Sequence, residues 1–480
     1  MNTNFFIIRV TIATVAMAAF CLSAQAQETA QAQETAEAQE TAEAQESAQA
    51  QESAKTKDTN WLRFRGDQGS GISDSSVPTE WSPEKNLRWT APLPGSGCSS
   101  PIVVDDKVFV TCYSGYGESR ENVGNKEDLE RHVVCINKAD GKELWSKTIP
   151  GTENEDDFSG IGVTAHGYAS HTPTSDGESL FVFLGKGGVI AYDLDGNELW
   201  KKNVGNGSDS RKWGSAASPV LCDDLLIVPA LAESRSVYGL DKKTGDERWV
   251  CESKAMDNTW STPMVIDVDD ERSDIVIGVP NELWAINPKT GNLAWLASGV
   301  ANEETGFYTS PTISDGVVYA TVGGRTGGGS IAVRTGGEKD VTESHVEWNS
   351  QTASSFSSPL VFADHIFTIG RGGILQIADS KTGKPVKKVR FESTDSSRPA
   401  NGGGGGRFGS RDYGSPVIAG DKLYYTKGNG ETFVFTTDSE CEQIAANKLT
   451  DDAESFAGTP AISDGQLFIR SNKFLYCIGE

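Results

Sequence analysis

Four aromatic residues stand three positions before the proline of a Ser/Thr-Pro step: Trp260, Tyr308, Phe356 and Tyr413, with Phe456 four before its own. Trp213 precedes a fifth step in the same stretch. Rings gathered at one mouth of a repeat protein can stack a planar ligand or grip a peptide. A position that recurs with a repeat usually serves packing, so the favoured reading of the same rings is as wedges between neighbouring units. Arg398, Arg407 and Arg411 surround the run Gly402–Gly406, and backbone N–H groups with guanidinium forks can wrap an anion. No strand-to-helix pattern frames that run, so a long inserted loop is the simpler reading. Trp213, Trp260, Tyr308, Phe356, Tyr413, Arg407 and Arg411 are therefore the candidate ligand surface.

Other reactive side chains carry weaker signals. His166 and His171 lie five apart in a loop with no third ligand matched to them, so a metal site is disfavoured. The stretch Asp267 to Asp274 holds enough carboxylates for calcium, but it falls at a hairpin turn and lacks the glycine of a calcium loop. Arg65-Gly66-Asp67 matches an adhesion tripeptide by chance. No G-x-S-x-G or similar motif supports hydrolysis. Neither catalytic nor metal-ligating residues are assigned.

These residues must be positioned by a repeat. The stretch Ser215 to Trp249 holds a Ser-Pro step, three short apolar runs separated by tight turns, a Lys-Thr-Gly turn and a Trp, which is three strands and the start of a fourth. Steps recur at Pro101, Pro173, Pro219, Pro263, Pro311, Pro359, Pro416 and Pro460, each preceded by Ser or Thr. Successive steps lie 44 to 72 residues apart, near the ~40–45 of a four-stranded propeller blade with loop insertions. The turn and Trp recur as Gly141 and Trp145, Gly196 and Trp200, Gly245 and Trp249, and Gly291 and Trp295, while Trp348 lacks the turn and Gly383 lacks the Trp.

The ends decide the topology. The last repeat stops after three strands at Gly479, whereas Asn86-Leu87-Arg88-Trp89 reads as a fourth strand with no blade before it. Joining them removes two exposed sheet edges and closes a circle. The expected fold is all-β, an eight-bladed propeller of four-stranded blades whose last blade is completed by the N-terminal strand, with seven blades as the alternative.

Composition bounds the rest. Residues 1–26 read as a secretory signal, with Arg9, the apolar Val10 to Leu22, and Ala24-Gln25-Ala26 as a cleavage site. Phe20 before Cys21 argues against lipid modification. Residues 27–58 begin with a Gln/Glu/Ala hexapeptide repeat that can bury no core and read as a solvated spacer, leaving 59–480 for the propeller. No later stretch is apolar enough to span a bilayer, so the expected location is periplasmic or secreted. A net charge of −24 repels phosphate polymers and argues against nucleic acid. Cys112 and Cys135 fall on neighbouring strands of the first blade, where a cross-strand disulfide and two buried thiols are equally good readings.

The Ser/Thr-Pro step, the apolar runs and the Asp-x-x-Thr-Gly-x-x-x-Trp close resemble the PQQ-like β-propeller repeat, a superfamily of quinoprotein dehydrogenases and of non-enzymatic propellers such as the outer-membrane protein assembly factor BamB. Trp61-Leu-Arg-Phe-Arg-Gly66 and the stretch from Pro94 to Pro101 resemble the opening of exported bacterial members, and Ile331 to Trp348 resembles their fifth blade. The dehydrogenase branch implies a quinone clamped between a Trp and a disulfide of adjacent cysteines, beside calcium. This chain has no adjacent cysteines, so PQQ and calcium are not favoured as cofactors. The expected function is an exported, non-catalytic propeller that binds protein or an extracellular polymer through its funnel face. A PQQ- and calcium-dependent oxidoreductase and an assembly scaffold similar to BamB are the alternatives.

Overall fold

Each Ser/Thr-Pro step begins the innermost strand of a sheet whose strands then run antiparallel from the axis outward. Blade 3 shows the pattern in Val220–Cys222, Leu225–Ala230, Ser236–Asp241 and Glu247–Glu252. The first turn of several blades carries an Asp with φ near +50°, at Asp105, Asp223, Asp315 and Asp464, a conformation whose cost Asp tolerates better than β-branched residues do. A computed structural model provides the coordinates and describes residues 60–300, 306–323, 328–351, 354, 356–370, 373–393 and 412–480. Residues 58–480 form one compact unit. In it, blades 1 to 8 begin at Ile102, Thr174, Val220, Met264, Thr312, Leu360, Val417 and Ala461, giving an eight-bladed propeller rather than a seven-bladed one. The described α-helices are single turns, Val163–His166 and Thr342–His345.

The circle closes as the strand count requires. Leu87–Pro92 pairs antiparallel with Phe474–Ile478 and forms the outermost strand of blade 8. A second closure lies at the axis, where the Ser or Thr of each step accepts a hydrogen bond from the backbone N–H of the same position one blade earlier. Ser100 donates to Thr172, Thr172 to Ser218, Ser218 to Thr262 and Thr262 to Ser310. Ser310 then donates to Ser358, Ser358 to Ser415, Ser415 to Thr459, and Thr459 back to Ser100, all eight at 2.9–3.0 Å. The residue before a proline is held extended, which aims every hydroxyl the same way. Eight buried N–H groups that no sheet partner reaches are thereby satisfied.

Apolar side chains on both faces of each sheet bury against the next blade. Phe181, Phe183 and Val189 of blade 2, for example, meet Leu226, Val228 and Leu240 of blade 3. The turn and the Trp of one repeat serve different interfaces. Trp200 of blade 2 donates its indole N–H to Lys242 O of blade 3 at 3.0 Å, and its ring lies where a Cβ on Gly245, φ +74°, would come within 2.6 Å. Trp89, Trp145, Trp249 and Trp348 dock likewise on the turns at Gly141, Gly196, Gly291 and Gly383. Trp295 is the exception. It donates to the buried Asp274 at 2.9 Å, and the short strand Lys339–Asp340 adds in parallel to the outside of its blade.

The segment Trp61–Ser73 runs inside the ring of innermost strands. Trp61 exchanges backbone hydrogen bonds with Val103 of blade 1, and Leu62 O accepts from Ser175 N of blade 2 at 2.9 Å. Arg63 and Arg65 reach Pro263 O of blade 4 and Pro359 O of blade 6. Ile72–Ser73 then pairs in parallel with Ile418–Ala419 of blade 7. One segment that touches the inner strands of five blades occupies the axis.

The cross-strand disulfide is not formed. Cys112 stands opposite His132 and Cys135 opposite Phe109, so the two thiols are three positions out of register and lie in different clusters on opposite faces of blade 1. The seven cysteines among the described residues are all free thiols.

Candidate functional site

The loops on the face where innermost strands begin hold two groups of side chains, one aromatic and one polar. Because the Ser or Thr of each step is fixed by the hydroxyl ring, a side chain two positions before it is held at the same height in each blade. Trp260, Tyr308, Phe356 and Tyr413 accordingly line up, with centroids 5.4 Å apart for Trp260 and Tyr308, 5.6 Å for Tyr308 and Phe356, and 4.9 Å for Phe356 and Tyr413. Trp213 extends the row, 5.2 Å from Trp260 and 5.9 Å from Tyr308. All five rings are half-buried, so the strip packs on itself and still presents surface.

The strip is fastened by hydrogen bonds. Trp260 Nε1 donates to Gly214 O at 2.7 Å, and Arg211 lies 5.1 Å over the Trp213 ring while donating to the Tyr308 hydroxyl at 2.6 Å. Asp209 accepts from the backbone N–H groups of Arg211, Trp213 and Gly214, each at 2.9 Å, which coils residues 209–214 into a tight loop. Burial raises the Asp209 carboxyl above its ordinary value despite those three donors. His166 Nε2 donates to Trp213 O at 2.7 Å from the other side, and burial lowers its pKa.

The polar group fills the side of this face formed by blades 1 to 3. Arg131 and Glu155 make a buried bidentate pair at 2.8 and 2.7 Å. Burial pushes Glu155 up, but the Arg131 hydrogen bonds and charge outweigh it and hold the carboxyl below its usual range. Lys186 pairs with Asp156 at 3.1 Å. Deeper still, His171 Nε2 and Ser215 Oγ are 2.8 Å apart, and Ser215 donates to Glu233 Oε2 at 3.2 Å. With its proton given to Glu233, Ser215 accepts from His171 Nε2–H, so Nδ1 is left as an acceptor, and it has no hydrogen-bond partner. Burial drives His171 down to about 3 and Glu233 up to about 7, so at neutral pH the histidine is uncharged and the carboxyl titrates. The serine lies between the histidine and the carboxylate. In a nucleophilic triad the histidine does, so these three side chains are not arranged as one.

Other sequence candidates fall elsewhere. Phe456 is buried in the cluster shared by blades 7, 8 and 1 and stacks on Tyr476 at 6.1 Å, outside the strip. Arg398, Arg407 and Arg411 lie outside the described residues. His166 and His171 bond to different partners. In the acidic turn, Arg272 holds Asp274 with two hydrogen bonds of 3.0 and 2.9 Å, and Ser273 bonds Asp267. Among the described residues no three His, Cys, Asp or Glu side chains are grouped to hold a metal ion. A planar cofactor between two rings needs their planes about 7 Å apart, two contacts of ~3.5 Å. The Trp213 and Trp260 centroids are 5.2 Å apart, so no planar ring fits between this pair.

Sequence reading did not single out Asp209, Arg211, Ser215 or Glu233, because loop residues without a motif meet only once the blades are in place. A legible sign was present. The loops from Gly151 to Thr172 and from Asn203 to Ser218 are long for a propeller and mix charges with Trp213 and the two histidines.

The sequence model of the family described as Outer membrane protein assembly factor BamB matches residues 129–389, just over half of the chain. Tetrathionate hydrolase of Acidithiobacillus ferrooxidans is 24% identical over 234 residues, 45% of this chain and 41% of that one. BamB of Burkholderia pseudomallei is 25% identical over 224 residues, 45% of this chain and 47% of the relative. The match thus spans less than half of the length of either relative. Among solved structures, BamB from Moraxella catarrhalis aligns with TM-score 0.54 at 13% identity, covering 82% of this chain and 96% of that one. Quinohemoprotein alcohol dehydrogenase from Comamonas testosteroni aligns with TM-score 0.57 at 12% identity, covering 87% and 80%. At those identities the structural likeness is one of fold. The repeat and the family match together make this chain a member of the PQQ-like propeller family described as Outer membrane protein assembly factor BamB.

Proposed function

We propose that this chain is an exported, non-catalytic propeller that grips a protein segment or an extracellular polymer across the aromatic strip of its funnel face. The strip itself is the observation that supports this reading: five half-exposed rings from consecutive blades, in unbroken contact and fastened by Arg211 and Gly214. Pre-ordered aromatic surface binds extended chains with little loss of side-chain freedom, which is why such rings dominate binding energies. A scaffold role in envelope assembly is the second reading. Its support is the family match and the BamB relatives, and in it the same strip takes a segment of an envelope protein.

Peptide arrays and a polysaccharide panel, probed with the intact protein, identify the occupant. Trp260→Ala should weaken its binding by roughly 30-fold, the ~2 kcal/mol of an interface anchor, while Leu199→Ala on an exposed outer strand leaves it unchanged. Equal binding by both variants removes the strip from the function. Saturable PQQ binding with turnover of an alcohol or sugar overturns the non-catalytic reading.

A further inference from the structure

The aromatic strip is rich in hydrogen-bond donors and poor in acceptors. The Trp213 indole N–H has no acceptor among the described residues, and it is open to solvent, unlike the sealed indole nitrogens of Trp61 and Trp81. The Tyr308 hydroxyl accepts from Arg211 at 2.6 Å, which leaves its own proton to donate, and no described residue receives it. Gly306 keeps space beside that hydroxyl, since a Cβ there would come within 3.0 Å of the oxygen. Arg211 also lies 5.1 Å over the Trp213 ring, so the two donors are tied to one another. Among the described residues, the acceptors beside these rings are taken up inside the protein. Trp213 O receives His166, Gly214 O receives the Trp260 indole, and Phe307 O receives the Trp260 backbone N–H. The Asp209 carboxylate is buried and holds three backbone N–H groups. The five side chains of the strip are Trp, Tyr and Phe, so none brings a carboxylate or an amide.

A ligand laid on such a surface must bring acceptors and must not bury donors, because a covered polar group without a partner costs the complex its desolvation. A glycan fails on the second count, since each of its hydroxyls is a donor as well as an acceptor. An ordinary extended peptide brings one N–H per residue. Proline has no N–H, and its carbonyl remains an acceptor. A polyproline II chain makes no internal hydrogen bonds, so its carbonyls stay available, and its apolar rings pack on aromatic side chains. We propose that the strip binds a proline-rich segment of a partner protein in the polyproline II conformation, with Trp213 and Tyr308 donating to its backbone carbonyls. Both surfaces are ordered before they meet, which keeps the entropic cost of binding low. This inference rests on the reading of the strip as a binding surface and names its occupant.

Isothermal titration of the intact protein with an oligoproline peptide, a Gly-Ser peptide of the same length and a neutral glucan oligosaccharide tests the class. Oligoproline should bind saturably and the other two should not. Tyr308→Phe keeps the ring and removes the donor, and it should weaken oligoproline binding by roughly fivefold, the effect of one hydrogen bond, with a larger loss in Trp260→Ala. Trp213→Phe keeps an aromatic ring without the N–H and decides the matter if Tyr308→Phe does not fold. Absence of saturable oligoproline binding, or binding unchanged in both donor variants, overturns the proposal. Glucan or Gly-Ser peptide bound as tightly as oligoproline, and lost in Trp260→Ala, overturns the proline class while leaving the strip as the binding surface. Oligoproline binding that survives intact in Trp260→Ala overturns both.

Discussion

Glu233 and His171 share one hydroxyl, and burial moves their titrations in opposite directions. Glu233 rises from 4.5 to about 7 in the folded protein. Between those values the unfolded chain has lost a proton that the folded chain keeps, so this group's contribution to stability falls as pH rises from about 4.5 to 7. His171 drops from 6.5 to about 3, so its contribution is complete above pH 6.5 and falls as pH is lowered toward 3. Glu233→Gln keeps an acceptor for Ser215 and removes the first effect. Between pH 5 and 6.5 the two effects oppose each other, so urea unfolding should show a nearly level stability profile in the wild type and stability rising with pH in Glu233→Gln, and parallel profiles would mean that Glu233 does not titrate there. None of this was legible in the sequence. His171 was visible only as half of a histidine pair five residues apart, which suggested a weak metal signal, yet His166 turned toward Trp213 and His171 toward Ser215. Glu233 is 62 residues from His171 and carries no motif, and only the packing of blade 2 on blade 3 brings them together.

The repeating elements were far more legible, because each blade restates the same pattern and errors average out. Even so, the sequence showed the spacing of the Ser/Thr-Pro step without its purpose. A small residue before proline was evident, and the eight-membered ring of N–H to hydroxyl bonds between blades was not, since seven of its bonds link residues 44 to 72 positions apart and the eighth links Thr459 to Ser100 across the closure. The ring makes a sharp prediction for a single atom. Ser310→Ala leaves the Thr262 N–H buried without an acceptor and should destabilise the protein by about 1–3 kcal/mol, whereas Ser310→Thr keeps the hydroxyl and should cost less than half of that. Denaturant midpoints of the two variants provide the comparison, and equal losses would show that shape at this position matters and the hydrogen bond does not. The turn glycine and the Trp were likewise both visible, but as parts of one repeat. Their contact is with the neighbouring blade, which explains why Gly383 persists in blade 6 without a Trp of its own: it receives Trp348 of blade 5.

At the scale of the whole molecule the chain is closed twice by its N-terminal residues, and the two closures differ in how they could be read. The outer one followed from counting strands, since three at the end and one spare near the start complete a blade. The axial one did not, because Trp61 to Ser73 shows neither strand alternation nor a repeat, and its fit depends on a channel that exists only after eight blades have assembled. The two also differ in what they stabilise. Leu87–Pro92 joins blade 8 to the ring edge and buries Trp89 and Ala91 in a cluster that spans the first and last blades. Trp61–Ser73 cross-links inner strands of blades 1, 2, 4, 6 and 7 without completing any sheet. A chain that starts at residue 74 should therefore still form the propeller, unfold at lower temperature, and lose the protection of inner-strand amides against hydrogen exchange while outer strands stay protected. A chain that starts at residue 94 also lacks the strand that closes blade 8 and should give a broad, non-cooperative melt with a tendency to associate through the open edges of blade 8. Hydrogen exchange and sedimentation on the two truncations separate these outcomes. If both behave alike, ring closure and axial filling are one cooperative event, and the N-terminal residues act as a single clasp that must dock before the disc is stable.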